Sequence, residues 1–232
     1  MDKPAKGSDT KQEFLRAALE LFHEKGYEKT TIQDIIDKMG VSKGAFYHYF
    51  ASKEDVIEKI AKDYAARGIS IMRKCADRKD LNAIEKLNAI VEKVNQYKSS
   101  REEDRKKMKG FFHGDKNLKL ERKIANAIRQ DALAIYQEIL GVGVEEGLIE
   151  KVNTRELAEF TANTINSLNA SIDQLIEECG PDRGDYYGEE FIERLEEKLI
   201  FYEEALARIY NLKGRPIKLK EAYLRRFLKE SK

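Results

Sequence analysis

Residues that break or cross-link a chain are scarce in this 232-residue sequence, which has three prolines, fourteen glycines and two cysteines. With so few breakers among abundant alanine, leucine, isoleucine, glutamate and lysine, long helices are favoured over strands. Cys75 and Cys179 stand far apart, which makes neither a disulfide framework nor a zinc site. Both are expected to be reduced, packed thiols in a cytoplasmic protein. Of the three histidines, none stands at ligand spacing from a second ligand. His113 before Asp115 is an isolated pair beside a glycine, so no metal is expected. No apolar run approaches the ~18 residues that a spanning helix needs. The N-terminus, MDKPAKGSDTKQ, has no apolar core, so neither a membrane segment nor a signal peptide is expected.

Charge of one sign is also missing. Lys+Arg 43 against Asp+Glu 42 leaves a net of +1, so only a local patch could mark a nucleic-acid partner. Enzyme signatures are missing as well: there is no nucleophile motif, no pair of carboxylates in an apolar setting and no phosphate loop. Gly141, Gly143 and Gly147 have the wrong spacing for a dinucleotide fingerprint and follow no strand, so they read as a helix end. Neither enzymatic activity nor a cofactor is expected.

What is present is helical periodicity. Residues 11 to 25 place Phe14, Ala18, Leu21 and Phe22 on one face, and Gly26 ends that helix. In KTTIQDIIDKMG, Ile32, Ile35, Ile36 and Met39 repeat at i, i+3, i+4, i+7; Thr30 or Thr31 can cap the helix, with Thr30 and Gln33 spaced as a capping box. Gly40 stops it after two turns. Ser42 then caps a short helix through Phe50, and Ser52 caps another, whose Glu54 and Asp55 favour the helix dipole. Two short helices joined by about three residues are helix-turn-helix geometry. Longer helices are expected at roughly 81–98, 101–112, 117–140, 154–179 and 186–212 from the pattern of apolar residues and breaks.

The segment GVSKGAFYHYFASKE, residues 40–54, concentrates aromatics between lysines. On a helix, Ala45, Phe46 and Tyr49 point toward the isoleucine face, while Lys43, Gly44, Tyr47 and His48 are left outward or along the helix start. A groove-reading helix uses its N-terminal residues on base edges. Gly44 costs helix stability, about 1 kcal/mol against alanine, and so suggests a close approach there. Phosphates need donors, and Thr31, Ser42, Tyr47 and Lys53 can supply them. From Lys38 to Lys53 the sequence has three lysines and no acid, a small positive footprint.

Two later features concern assembly. Ile192, Leu195, Leu199, Tyr202, Leu206 and Ile209 form a heptad seam, suited to packing on another helix either within the chain or across a dimer. From Phe160 to Ile172, thirteen residues carry no charge. One face holds Ile165, Leu168 and Ile172 and the other small uncharged residues, so this helix should face protein or a ligand cavity on most sides. Phe111, Phe112, His113, Tyr136, Asn163 and Asn166 could line an effector pocket or simply be core and interface. The tail 213–232 holds eight basic and two acidic residues, with a short amphipathic helix after Pro216.

TTIQDIIDKMGVSKGAFYHYFASKEDVI resembles the N-terminal DNA-binding domain of the TetR-type transcriptional regulators, over about Phe14 to Tyr64. The resemblance implies an all-α chain: a three-helix helix-turn-helix domain (1–66), then a larger helical effector-binding and dimerisation domain (67–212); the basic extension (213–232) is not a hallmark of that family. It implies a homodimeric repressor of a double-stranded operator, with a small-molecule effector that changes the separation of the reading helices. By family pattern Thr31, Tyr47 and Lys53 would hold phosphates, while Lys43, Gly44, Ala45 and His48 would sit near bases. The last two long helices would pair across the dimer, through Ile165, Leu168, Ile172, Leu195, Leu199, Tyr202 and Leu206. Gln33 stands where the family often has Arg, and Ile36 and Met39 where it usually has small residues. The competing expectation is a helical protein–protein interaction module that binds no DNA.

Overall fold

The computed structural model describes residues 6–101, 118–180, 187–212 and 217–228. Among these residues there are nine helices and no strand. They are α1 (Lys6–Lys25), α2 (Ile32–Met39), α3 (Lys43–Tyr49), α4 (Lys53–Ala76), α5 (Ala83–Ser100), α6 (Leu118–Glu145), α7 (Thr154–Cys179), α8 (Glu189–Ile209) and α9 (Lys220–Phe227). None is long and apolar enough to cross a membrane. The helix expected at 101–112 lies almost wholly outside the described residues.

The chain divides into two compact units, 1–67 with 101–127 and 68–100 with 128–232, so that boundaries fall at Arg67 and Gly68 inside α4 and at Ala127 and Ile128 inside α6. In the first unit the apolar stripe of α1 meets α2, α3 and the start of α4. Phe14, Phe22, Ile35, Phe46, Phe50, Val56 and Ile57 are all nearly or fully buried. Phe14 is the hub: its ring meets Phe46 at 5.8 Å and Phe50 at 5.7 Å, both edge to face, the arrangement that ring quadrupoles prefer. The turns are set by backbone rather than by space. Gly26 and Gly40 have φ of +82° and +63°, while a Cβ on either would meet nothing within 4 Å. Left-handed backbone is what selects glycine there.

The N-cap of α2 is Thr31, not Thr30. Thr31 Oγ1 accepts from Asp34 N, and the Asp34 carboxylate accepts from Thr31 N, so the capping box is Thr31 with Asp34. Thr30 is buried instead, its hydroxyl donating toward Leu21 O and Gly26 O, which closes the α1–α2 turn. Gln33 donates to Asp37 one turn on.

The second unit holds a larger core. Ile84, Leu87 and Ile90 of α5, Ile135, Ile139 and Leu140 of α6, Leu168 and Ile172 of α7, and Leu195 and Leu199 of α8 are buried together. α6 runs five residues past its expected end at 140, to Glu145. Gly143 explains the close packing there: a Cβ would fall 2.7 Å from Ile149 Cδ1 and 3.0 Å from Ala83 Cβ. The glycine is needed for approach, not as a breaker. Thr161 and Tyr210 form a buried pair at 2.6 Å. Thr161 donates to Leu157 O, so the phenol must donate to Thr161.

The short amphipathic helix expected in the tail is α9, and this segment joins the core. Ile217, Leu219, Tyr223, Leu224 and Phe227 are buried, and α9 packs on α5 and α8. The Glu203 carboxylate accepts from Leu219 N and, at 2.7 Å, from Lys220 N, satisfying backbone donors at the start of α9.

Candidate nucleic-acid interface

The short helix α3 is held from behind. Phe46 and Phe50 sit at 0% and 1% exposure in the first core, so the opposite edge has a fixed direction. Ser42 caps it, its Oγ accepting from Ala45 N at 3.2 Å. α4 anchors the C-terminal end of α3. Lys59 Nζ donates to Tyr49 O at 2.9 Å, and Asp55 accepts from Ala51 N at 2.9 Å and from Lys59 at 2.8 Å. Burial works to raise the Asp55 pKa, but the Lys59 and Ala51 bonds more than offset it and hold the carboxyl below its usual range.

On the outward edge, Ser42, Lys43, Gly44, Tyr47 and His48 are exposed, Tyr47 at 48%. Ala45 is half-buried. The Ser42 hydroxyl accepts internally, which leaves its proton to donate outward. Lys43 Nζ lies 6.0 Å from the Tyr47 ring centroid, so the charge and the phenol occupy one patch. Gly44 has no internal reason to be glycine: a Cβ would meet only Ser42 Oγ, at 3.8 Å, an ordinary contact.

The remaining residues expected at phosphates have inward duties. Lys53 Nζ donates to Tyr27 O at 2.7 Å and Thr30 O at 3.0 Å, with Glu28 O at 3.4 Å, and lies 4.2 Å from the Tyr27 ring centroid. Its ammonium clamps the α1–α2 turn. Thr31 is exposed, but its hydroxyl donates to Asp34 at 2.8 Å. The positive footprint is also smaller than the sequence suggests. Lys38 pairs with Glu20 at 3.0 Å and Glu24 at 3.4 Å, acids of α1 far off in sequence, and those carboxylates raise its pKa.

Of the residues expected around an effector, three can be placed. Phe111, Phe112 and His113 lie outside the described residues. Tyr136 is core, its hydroxyl pKa raised by burial beside Tyr223 and Tyr210, whereas Asn163 and Asn166 are exposed on α7. The interface expectation needs a correction of face. Leu168, Ile172, Leu195, Leu199 and Leu206 are at most 2% exposed in the single chain, so they are core and have no surface to offer a partner. Ile165 and Tyr202 are partly buried against the same core. Leu195, Leu199 and Leu206 of the heptad seam are used within the chain. Phe160 and the seam residue Ile209 are exposed, and so are Ile200 and Phe201, which sequence spacing did not single out, with Phe201 at 68% exposure.

Residues 14–60 match the family of bacterial regulatory proteins, tetR family. The HTH-type transcriptional repressor KstR2 of Mycolicibacterium smegmatis is 35% identical over 63 residues, 27% of this chain and 31% of that protein. Matches to the first such relatives span only 31%, 31% and 23% of their lengths. The transcriptional regulator FadR from Bacillus subtilis, solved in complex with stearoyl-CoA, is 26% identical, covers 68% of this chain and 83% of its own, and superposes with a TM-score of 0.55. SmeT of Stenotrophomonas maltophilia, solved with triclosan, shares the fold at a TM-score of 0.65 and 19% identity, over 89% of this chain and 93% of its own. Carried by the sequence match and by helices that fit it, the likeness to the tetR family of bacterial regulatory proteins covers residues 14–60.

Proposed function

We propose that this chain is a homodimeric, sequence-specific DNA-binding repressor that a small amphipathic effector releases from a near-palindromic operator. The first unit is the reader and the second the effector and dimer unit, working with DNA in the cytoplasm. The observation that carries the reading is the two-sided α3: rings buried on one side, and Ser42, Lys43, Gly44, Tyr47 and His48 presented on the other. A helix N-terminus with small residues and hydroxyls fits a major groove, where phosphate contacts fix position and side chains on base edges give sequence. Gly44, without an internal need for glycine, lets backbone come close to the duplex. Ser42 and Tyr47 are the phosphate donors in this reading, Lys43 and His48 the base-proximal groups, with Ala45 beside them. Lys53 and Thr31 act by holding the motif in shape.

Dimerisation uses the outer faces of α7 and α8. Phe160 and Phe201 stand exposed there, next to uncharged Asn163, Ser167 and Ala170, a surface that suits a two-fold contact better than water. Two reading helices would then lie about 34–36 Å apart, one DNA turn, or a multiple of it. An effector acts only through its differential affinity for the DNA-competent and released spacings. The neighbours solved with stearoyl-CoA and with triclosan support an amphipathic ligand class.

Selection of bound sequences from a random duplex pool, followed by gel shifts over a salt series, tests the reading. A near-palindromic site bound with steep salt dependence is expected. Tyr47→Ala should weaken all sequences alike, by roughly tenfold, while His48→Ala should change base preference more than general affinity. Operator binding untouched by both substitutions would remove α3 as the reading element.

A further inference from the structure

The C-terminal helix α9 fills the second unit in an unusual way. Tyr223 is 2% exposed, and its hydroxyl enters a polar interior formed by Asn95 of α5 and Asn169 of α7. The phenol has one proton to donate. It goes to Asn169 Oδ1 at 3.2 Å, which also accepts from Lys98 Nζ at 3.2 Å. Asn95, 3% exposed, donates its Nδ2 to Val91 O at 2.9 Å, and its Oδ1 is left without a partner among the described residues. A buried acceptor without a donor is costly in a permanent core.

The seam beside this group is loosely closed. A cleft of about 280 Å³, open to solvent, lies between α5 and α9 with Asn95 in its wall. The ion pairs that hold α9 are superficial. Lys220 pairs with Glu196 and Arg225 with Glu92, all four side chains at least 38% exposed, and such pairs contribute little. Its apolar hold comes mainly from Tyr223, Leu224 and Phe227, whose ring meets Tyr187 at 5.3 Å and Phe191 at 5.1 Å.

We infer that α9 is a displaceable plug: Tyr223 and Phe227 occupy a site between α5 and α8 whose ligand is an amphipathic molecule with an apolar tail and a hydroxyl or amide donor for Asn95 Oδ1. The inference rests on the reading of the second unit as the effector unit and adds to it the place and the competitor. Ligand entry requires α9 to leave, so the helix lowers ligand affinity by the cost of its own displacement.

Decanol, a chain alcohol with one hydroxyl donor, is the probe, used with the full chain and without DNA. Its affinity is measured by calorimetry, and backbone exchange of residues 217–228 by deuterium uptake. Saturating decanol should speed exchange across α9 at least tenfold, and Phe227→Ala should tighten decanol binding about tenfold or more, because less is lost on displacement. Tyr223→Phe, which keeps the ring, separates loosening from general misfolding: with one fewer bond under α9 it should tighten binding more modestly and leave the far-ultraviolet spectrum unchanged. Decanol binding with α9 exchange unchanged, or no tightening in either substitution, overturns the plug. So does absence of decanol binding to all three proteins. None of these results bears on operator selection, which stands or falls by itself.

Discussion

Lys53→Met separates the two duties that Lys53 could have. The substitution keeps most of the stem and removes the ammonium that bridges Tyr27 O, Glu28 O and Thr30 O. A bond from a charged donor is worth roughly 1.5–3 kcal/mol when well buried. Two of the three are short, at 2.7 and 3.0 Å, but Lys53 is partly exposed. Partial solvation discounts the clamp to about 2 kcal/mol in all. With a urea slope of roughly 1–3 kcal/mol per molar, the unfolding midpoint of the first unit should fall by about 1 M, followed by circular dichroism. Operator affinity measured under folding conditions should keep its salt slope, because no phosphate contact is lost. If the midpoint stays in place while the slope of log affinity against log salt drops by about one contact, Lys53 holds a phosphate and the clamp is wrong.

Acid should weaken the first unit through its depressed carboxyls. Lys25 at 2.6 Å, with Thr31 N and the Thr31 hydroxyl, holds Asp34 well below the usual range, and Asp55 is lowered too. A depressed folded pKa gives stability that is complete above the unfolded value, about 4, and is lost as pH falls below it. Unfolding midpoints from pH 6 to pH 2 should therefore decline below about pH 4, less steeply in Asp34→Asn. Gly143→Ala should cost about 1–3 kcal/mol by overpacking against Ile149 and Ala83, read as a lower melting temperature, whereas Gly141→Ala, whose Cβ meets nothing within 4 Å, should not. Phe201→Glu should leave the helical spectrum intact and give monomers in sedimentation, since the side chain is 68% exposed in the single chain. A dimer that survives Phe201→Glu would move the interface elsewhere.

Local rules determined much of this protein from the chain alone. Period 3.6 and the scarcity of proline gave helices; Gly26 and Gly40 marked turns that do adopt left-handed backbone; Ser42 and its aromatic successors fixed a two-sided α3. These features depend on neighbours within a few residues, so spacing suffices to read them. What only tertiary structure decided involves partners distant in sequence. Glu20 and Glu24 neutralise Lys38, carbonyls 23 to 26 residues back occupy Lys53, and the seam of Leu195, Leu199 and Leu206 turns into its own core. A heptad says that a helix will pack, not on what. The tail shows the same limit: its spacing marks a short amphipathic helix, but only packing decides that Tyr223 and Phe227 bury against α5 and α8. A few rings at helical spacing outweigh many surface lysines, because lysines stay solvated while rings leave water.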